Sequence, residues 1–283
     1  MRSTIKTSSI VKSFDGRTVL DGIDLEIHSG EIFGLLGPSG AGKTTLIKIL
    51  TGQLEQDAGT AYINGIDTGY LTGADKKRFG ITMDNFGVYD RASCYENLEM
   101  IAGIYGLDRR AVDAVLRKVG LDRAAKTPAG KLSKGMKVRL KLARAFLSDP
   151  DILFLDEPTS GLDPVSANEI HKMILAEKER GKTIFLTTHI MSEAEKLCDS
   201  IALLSEGRIV EQGAPEEICR RYDHQRRFRI HLTDGRDMDI PHDKAAAEKV
   251  AELIMSGTME TIHSTEPDLE TVFMEITGKE LSA

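Results

Sequence analysis

The segment Gly-Pro-Ser-Gly-Ala-Gly-Lys-Thr-Thr, residues 37–45, constrains this chain more than any other stretch. Gly37, Gly42, Lys43 and Thr44 occupy every fixed position of the pattern G-x-x-x-x-G-K-[ST], a loop that wraps phosphate groups. Gly37, Gly40 and Gly42 let the backbone bend so that successive N–H groups point inward at anionic oxygens. Pro38, Ser39, Ala41 and Thr45 complete the loop. Lys43 adds a point charge for the β- and γ-phosphates, and the Thr44 hydroxyl suits Mg²⁺. The flanks agree. Ile32-Phe33-Gly34-Leu35-Leu36 reads as a short buried strand, and Leu46, Ile47, Ile49 and Leu50 open a helix whose N-terminus adds its dipole to the anion site. A glycine-rich turn with a surface lysine would lack that context. The segment predicts nucleoside triphosphate binding.

A second chemical group lies downstream, where the apolar strand Ile152-Leu153-Phe154-Leu155 ends in Asp156-Glu157-Pro158. Carboxylates at the C-terminal end of a parallel strand face the crevice where α/β sheets hold ligands. Asp156 suits the Mg²⁺ shell, and Glu157 suits orienting and deprotonating an attacking water. A further strand, Thr183 to Thr188, delivers His189, a candidate hydrogen-bond partner for a γ-phosphate. Upstream, Phe14 is either a base-stacking ring or a core residue of a strand face.

Around these motifs the periodicity changes along the chain. Residues 3–31 read as strands and turns, with Ile23, Leu25 and Ile27 alternating with Asp24 and Glu26, and with Asp15-Gly16 and Asp21-Gly22 as turn signals. From about Tyr89 to Leu147 the pattern is helical. Met100, Ile101 and Ile104 form one apolar group; Val112, Val115, Leu116 and Val119 form another, closed by Gly120. Ser133 stands at an N-cap position before a helix that Asp149-Pro150 terminates.

Composition bounds the function. The 283 residues suffice for one large or two modest domains, and 37 basic against 44 acidic residues give a net charge of −7. That balance argues against a nucleic-acid partner held by a general electrostatic field. Cys94, Cys198 and Cys219 are scattered without C-x-x-C spacing, which fits a reducing compartment. The chain has no apolar signal-peptide core. It also has no apolar run of the roughly 20 residues that a membrane-spanning helix needs. A membrane role would therefore come through a separate partner.

Taken in order, the motifs resemble the ATP-binding subunit of an ABC transporter over roughly residues 3–218. They are the phosphate loop, Leu132-Ser133-Lys134-Gly135-Met136, the acidic strand, Ser160-Gly161-Leu162-Asp163 and His189. The resemblance implies an α/β P-loop NTPase core with an N-terminal antiparallel β subdomain and an inserted helical subdomain at about 89–148. It implies ATP and Mg²⁺ as ligands, a transmembrane permease subunit as partner, and a cytoplasmic location at the inner face of the membrane. It also implies a head-to-tail pair of cassettes, a homodimer here, in which Ser133 and Gly135 of one chain close on the γ-phosphate held by Lys43 of the other. Asp163 would couple the two sites. The alternatives are a soluble ATPase of this type acting on the ribosome or nucleic acid, and a nucleotide-gated regulatory module with little turnover.

Two departures stand out. Lys134 and Met136 replace a glycine and a glutamine of the family pattern Leu-Ser-Gly-Gly-Gln, while Ser133 and Gly135 are kept. The family's metal-contacting glutamine aligns with Asp84, which the resemblance places in that role. The neighbouring 85–89 segment, with Phe86 and Tyr89, is where the resemblance places docking of the membrane subunit.

A basic junction at 220–227 sets a boundary near residue 222. Beyond it, Phe228, Ile230 and Leu232, a turn at Asp234-Gly235, and Met238 with Ile240 predict a hairpin. Helices are predicted from about Asp243 to Met255 and from Pro267 to Gly278. This 223–283 segment resembles the small α+β domain that follows the cassette in ABC-2-type exporters.

Overall fold

The computed structural model describes residues 3–83, 88–224, 226–241 and 243–278. The chain begins with β1 (Ser3–Phe14) and β2 (Arg17–His28), an antiparallel pair. They are joined at Asp15 and Gly16, both at positive φ, as a two-residue hairpin turn requires. Asp21-Gly22 makes no turn between strands. It sits inside β2, where the register shifts between Ile10–Ile23 and Val11–Asp21. Gly22, at φ 75, absorbs the irregularity, as glycine does at a β-bulge. β3 (Ile32–Leu36) leads through the glycine loop into α1 (Lys43–Leu50). β4 (Ala58–Ile63) and β5 (Ile66–Asp67) complete a four-stranded sheet in the order β2-β1-β4-β5.

After α2 (Gly73–Lys76) and β6 (Phe79–Thr82) comes the helical insertion: α3 (Cys94–Tyr105), α4 (Arg109–Lys118) and α5 (Lys134–Phe146). Val112, Val115, Leu116 and Val119 are all buried, and Gly120 follows in the left-handed region. The Met100 group divides differently. Met100 and Ile104 lie on the exposed side of α3, while Leu98 and Ala102 take the buried side.

The central sheet is built by β7 (Ile152–Asp156), β8 (Thr183–Thr188), β9 (Ser200–Ser205) and β10 (Arg208–Gly213) together with β3 and β6. The helices α6 (Pro164–Glu179) and α7 (Met191–Leu197) connect its later strands. Its order is β10-β9-β3-β8-β7-β6, and β3, β6, β7, β8 and β9 run parallel. The period of two sends alternate residues of one strand into two cores. In β7, Ile152 and Phe154 pack on the side of the antiparallel sheet and α1, while Leu153 and Leu155 pack with the helical insertion. Phe33, Phe185, Phe154 and Phe79 cross four adjacent strands, with successive ring centroids 5.6 Å, 5.9 Å and 5.8 Å apart. Such aromatic cross-strand pairs pin the register of the strands that end at the phosphate loop.

Residues up to Gln212 form one compact unit and those from Gly213 a second. The second holds α8 (Pro215–Arg221), β11 (Arg227–Leu232), β12 (Asp237–Pro241), α9 (Lys244–Met255), β13 (Met259–Ser264) and α10 (Leu269–Thr277). The division precedes the sequence boundary near 222 by one helix, because α8 packs on α10. The hairpin and both helices stand where periodicity predicts them. β13, exposed along most of its length, carries no clear alternation and forms only by pairing with β11. Among the described residues no helix is long and apolar enough to cross a membrane.

Candidate active site

β3 ends at Leu36, and the N–H of the next residue, Gly37, reaches the Thr188 carbonyl at 3.4 Å. A side chain at 37 would press into the Leu204 carbonyl oxygen on the neighbouring strand. The loop therefore leaves the sheet at a point only glycine fits. Gly37→Ala is expected to cost about 1–3 kcal/mol through overpacking and to weaken ATP binding by displacing the loop, as thermal unfolding and nucleotide titration would show. Gly42, at φ 110, turns the chain into α1. α3, α4, α5 and α6 are capped by the side chains of Ser93, Asp108, Ser133 and Asp163, whereas α1 begins at Gly42 with no side-chain cap. Its first-turn N–H groups are therefore available to an anion.

Lys43 is 5% exposed, and its ammonium is held inside the loop. It donates to the Gly37 carbonyl at 2.6 Å and the Pro38 carbonyl at 3.2 Å, and pairs with Glu157 Oε1 at 3.1 Å. Glu157 Oε2 lies 3.0 Å from His189 Nδ1. Glu157 itself sits at φ 46, and its backbone N–H is fixed by the Thr187 carbonyl at 3.0 Å and the Thr187 hydroxyl at 3.1 Å. Left-handed backbone at a non-glycine residue costs about 1–2 kcal/mol. Those two hydrogen bonds hold Glu157 there, aimed between Lys43 and His189.

Thr44 Oγ1 donates to Asp156 Oδ2 at 2.8 Å, and Thr187 Oγ1 donates to Asp156 Oδ1 at 2.6 Å. This pairing places two hard oxygen donors, Thr44 and Asp156, together beside the phosphate loop. Mg²⁺ takes such ligands, completing its shell with water and substrate phosphates rather than a protein cage. Among the described residues no cluster of three His, Cys, Asp or Glu forms such a cage. The donor set therefore fits a nucleotide-bound Mg²⁺.

The structure thus gathers Lys43, Thr44, Asp156, Glu157 and His189 into one site. Ser133 and Asp163 do not join it. Ser133 caps α5, accepting from Met136 N–H at 3.2 Å. Asp163 caps α6, accepting from Ser166 and Val165 N–H, and the bonds from Ser166 and then Val165 hold its carboxyl below the usual range. Gly135 faces α6, where a Cβ would stand 3.1 Å from Ser166 Oγ. Phe14 ends β1 with its ring 44% exposed and the Lys12 ammonium 5.5 Å from the ring centroid, so it is a surface ring rather than a core residue. Asp84, with the neighbouring 85–87, lies outside the described residues.

Two site residues are not revealed by the motifs. Thr187 is fully buried and fixes both Asp156 and the Glu157 backbone; the threonines before His189 are its only sequence signal. Glu193, in α7, belongs to no motif, yet it is buried and accepts from Thr188, the residue directly before His189.

The profile of the ABC transporter family matches residues 20–160. The fluoroquinolones export ATP-binding protein of Mycobacterium tuberculosis (strain H37Rv) is 40% identical over 92% of this chain and 88% of its own length. The linearmycin resistance ATP-binding protein of Bacillus subtilis (strain 168) is 30% identical over 98% and 99%. Among solved structures, an ATP-binding subunit of an ABC transporter superposes with a TM-score of 0.69 at 30% identity, covering 77% of this chain and 93% of that one. A dimeric ATP-binding cassette in a post-hydrolysis state with ADP and Pi gives a TM-score of 0.67 at 25% identity, covering 74% and 98%.

Proposed function

Because this chain belongs to the ABC transporter family of ATP-binding proteins, we propose that its ATP hydrolysis drives export through a separate membrane subunit. The observation that carries the reading is the Lys43–Glu157–His189 contact set beside the Thr44–Asp156 pair. An incoming nucleotide draws its β- and γ-phosphates into the loop, where Lys43 exchanges Glu157 for phosphate oxygen. Glu157, released from the lysine, accepts a proton from water as that water attacks the γ-phosphorus in line. The bond from phosphorus to the β–γ bridging oxygen breaks, leaving ADP and inorganic phosphate. His189 orients Glu157 and hydrogen-bonds the transferred group. Thr44 and Asp156 would hold Mg²⁺, which would neutralise phosphate charge.

Ser133, Gly135 and Asp163 serve a second copy of the chain in this reading. At the α5 N-terminus Ser133 Oγ takes the Met136 N–H alone, so the other first-turn N–H groups and the helix dipole are left to act on a γ-phosphate outside their own chain. Export, rather than import, is supported by full-length similarity: the bacterial export and resistance relatives align through the second unit as well as the cassette. Those relatives also favour the transporter reading over the ribosomal or regulatory ones.

The membrane subunit docks on the helical insertion. Ile104, 71% exposed, and Met100 lie one turn apart on α3, and Tyr89, 57% exposed, precedes that helix. Together they give an apolar strip open to solvent, the kind of surface a protein partner covers. The chain is thereby peripheral at the cytoplasmic face of the membrane. The test is affinity recovery from detergent-solubilised native membranes, with ATPase assay of the recovered complex. A polytopic membrane protein is expected with the parent chain and lost with Ile104→Glu, while nucleotide binding stays unchanged. Recovery of soluble partners alone would overturn the transporter reading.

A further inference from the structure

Glu193 lies one turn past His189, and its side chain is 2% exposed. Its Oε2 accepts from Thr188 Oγ1 at 2.7 Å; its Oε1 accepts from Thr159 Oγ1 at 2.6 Å and lies 3.0 Å from His171 Nε2. Burial opposes its charge, but the hydrogen bonds from His171, Thr159 and Thr188 outweigh burial and hold the carboxyl below its usual range. Thr188 immediately precedes His189, and its hydroxyl also accepts the Ile190 N–H at 3.0 Å. Thr159 immediately precedes Ser160-Gly161-Leu162-Asp163, and His171 stands on the helix that Asp163 caps.

We propose that Glu193 is a positioning residue for hydrolysis, locking the turn that carries His189 and the 160–163 segment into one frame so that neither moves without the other. This rests on the ATPase reading above. A carboxylate that merely filled space would be costlier here than a neutral isostere, since a buried charge must be offset by every hydrogen bond it receives. The three donors it gathers come from the residue before His189, the residue before Ser160 and the helix that Asp163 caps. None of them touches the reacting groups directly, so the effect runs through His189 and Asp163.

Glu193→Gln keeps the volume but loses one of the two acceptor oxygens. In the transporter complex its kcat is expected to fall about tenfold or more, with KM for ATP within about twofold, because binding contacts are untouched. In a His189→Ala background the same substitution is expected to add little, since the two act as a unit. Histidine ring NMR of the nucleotide-free chain is expected to show displaced His189 resonances in Glu193→Gln and in Thr188→Val. An unchanged kcat in Glu193→Gln, or an equal loss in both backgrounds, would overturn the proposal. A parent complex without turnover would overturn the ATPase reading instead. The His189 resonances then decide the positioning role alone, and unshifted resonances would refute it.

Discussion

Glu157→Gln is expected to lower kcat by about 10²–10⁴-fold, the range a positioned general base contributes, while ATP binds at least as tightly as before. The second half follows from the geometry. With no nucleotide, Glu157 Oε1 sits 3.1 Å from the Lys43 ammonium and competes for the charge that phosphate must capture. A neutral amide removes that competitor without emptying the site. The bonds that Glu157 N–H donates to the Thr187 carbonyl and hydroxyl are unaffected, so the side chain stays aimed at the same point. Steady-state hydrolysis and equilibrium nucleotide titration on the same preparation check both halves. A variant that loses binding would show that Glu157 holds the nucleotide rather than the attacking water.

Lys43→Ala is expected to act in the opposite sense, with the loss falling on binding. Removing one member of a buried, hydrogen-bonded charge pair costs about 2–5 kcal/mol, an affinity loss of roughly 30-fold or more. The substitution also strips the donor from the Gly37 and Pro38 carbonyls and leaves Glu157 with His189 as its remaining side-chain partner in the site. The loop then loses an internal strut as well as a ligand contact. Titration with ATP and with ADP separates the two effects. A charge role predicts a greater loss for ATP, whose γ-phosphate Lys43 meets; a purely structural role predicts equal losses.

The two variants are expected to differ because, in the proposed reading, their side chains meet different parts of the reaction, and that difference is legible in the residue order alone. Lys43 belongs to a loop whose function is set by the consecutive residues 37–45, and Glu157 ends an apolar strand directly after Asp156. Local signals also place the Ser133 cap, the Gly120 stop and the 228–240 hairpin, because each depends on neighbours a few residues away. They misplace Asp21-Gly22, where pairing with β1 absorbs a turn dipeptide into a strand. They are silent about β13, whose residues become a strand only when β11 supplies the hydrogen-bond partners.

Residue order alone sets out the chemistry available to this protein: a phosphate loop, a metal-suited hydroxyl and carboxylate, a candidate base and a histidine, each at the end of a β-strand or the start of a helix. Which of these groups meet is set by how the strands pack. Thr44 finds Asp156 across 112 residues, Glu157 finds His189 across 32, and Glu193 finds Thr159 across 34. Those meetings follow from the sheet order β3-β8-β7, which brings three strand ends side by side. The Glu193 contact depends on α7 packing against β3 and β8, with that side chain buried. No local pattern encodes either arrangement, because backbone propensity acts over a few residues whereas strand order is selected by how alternate side chains fill two cores at once.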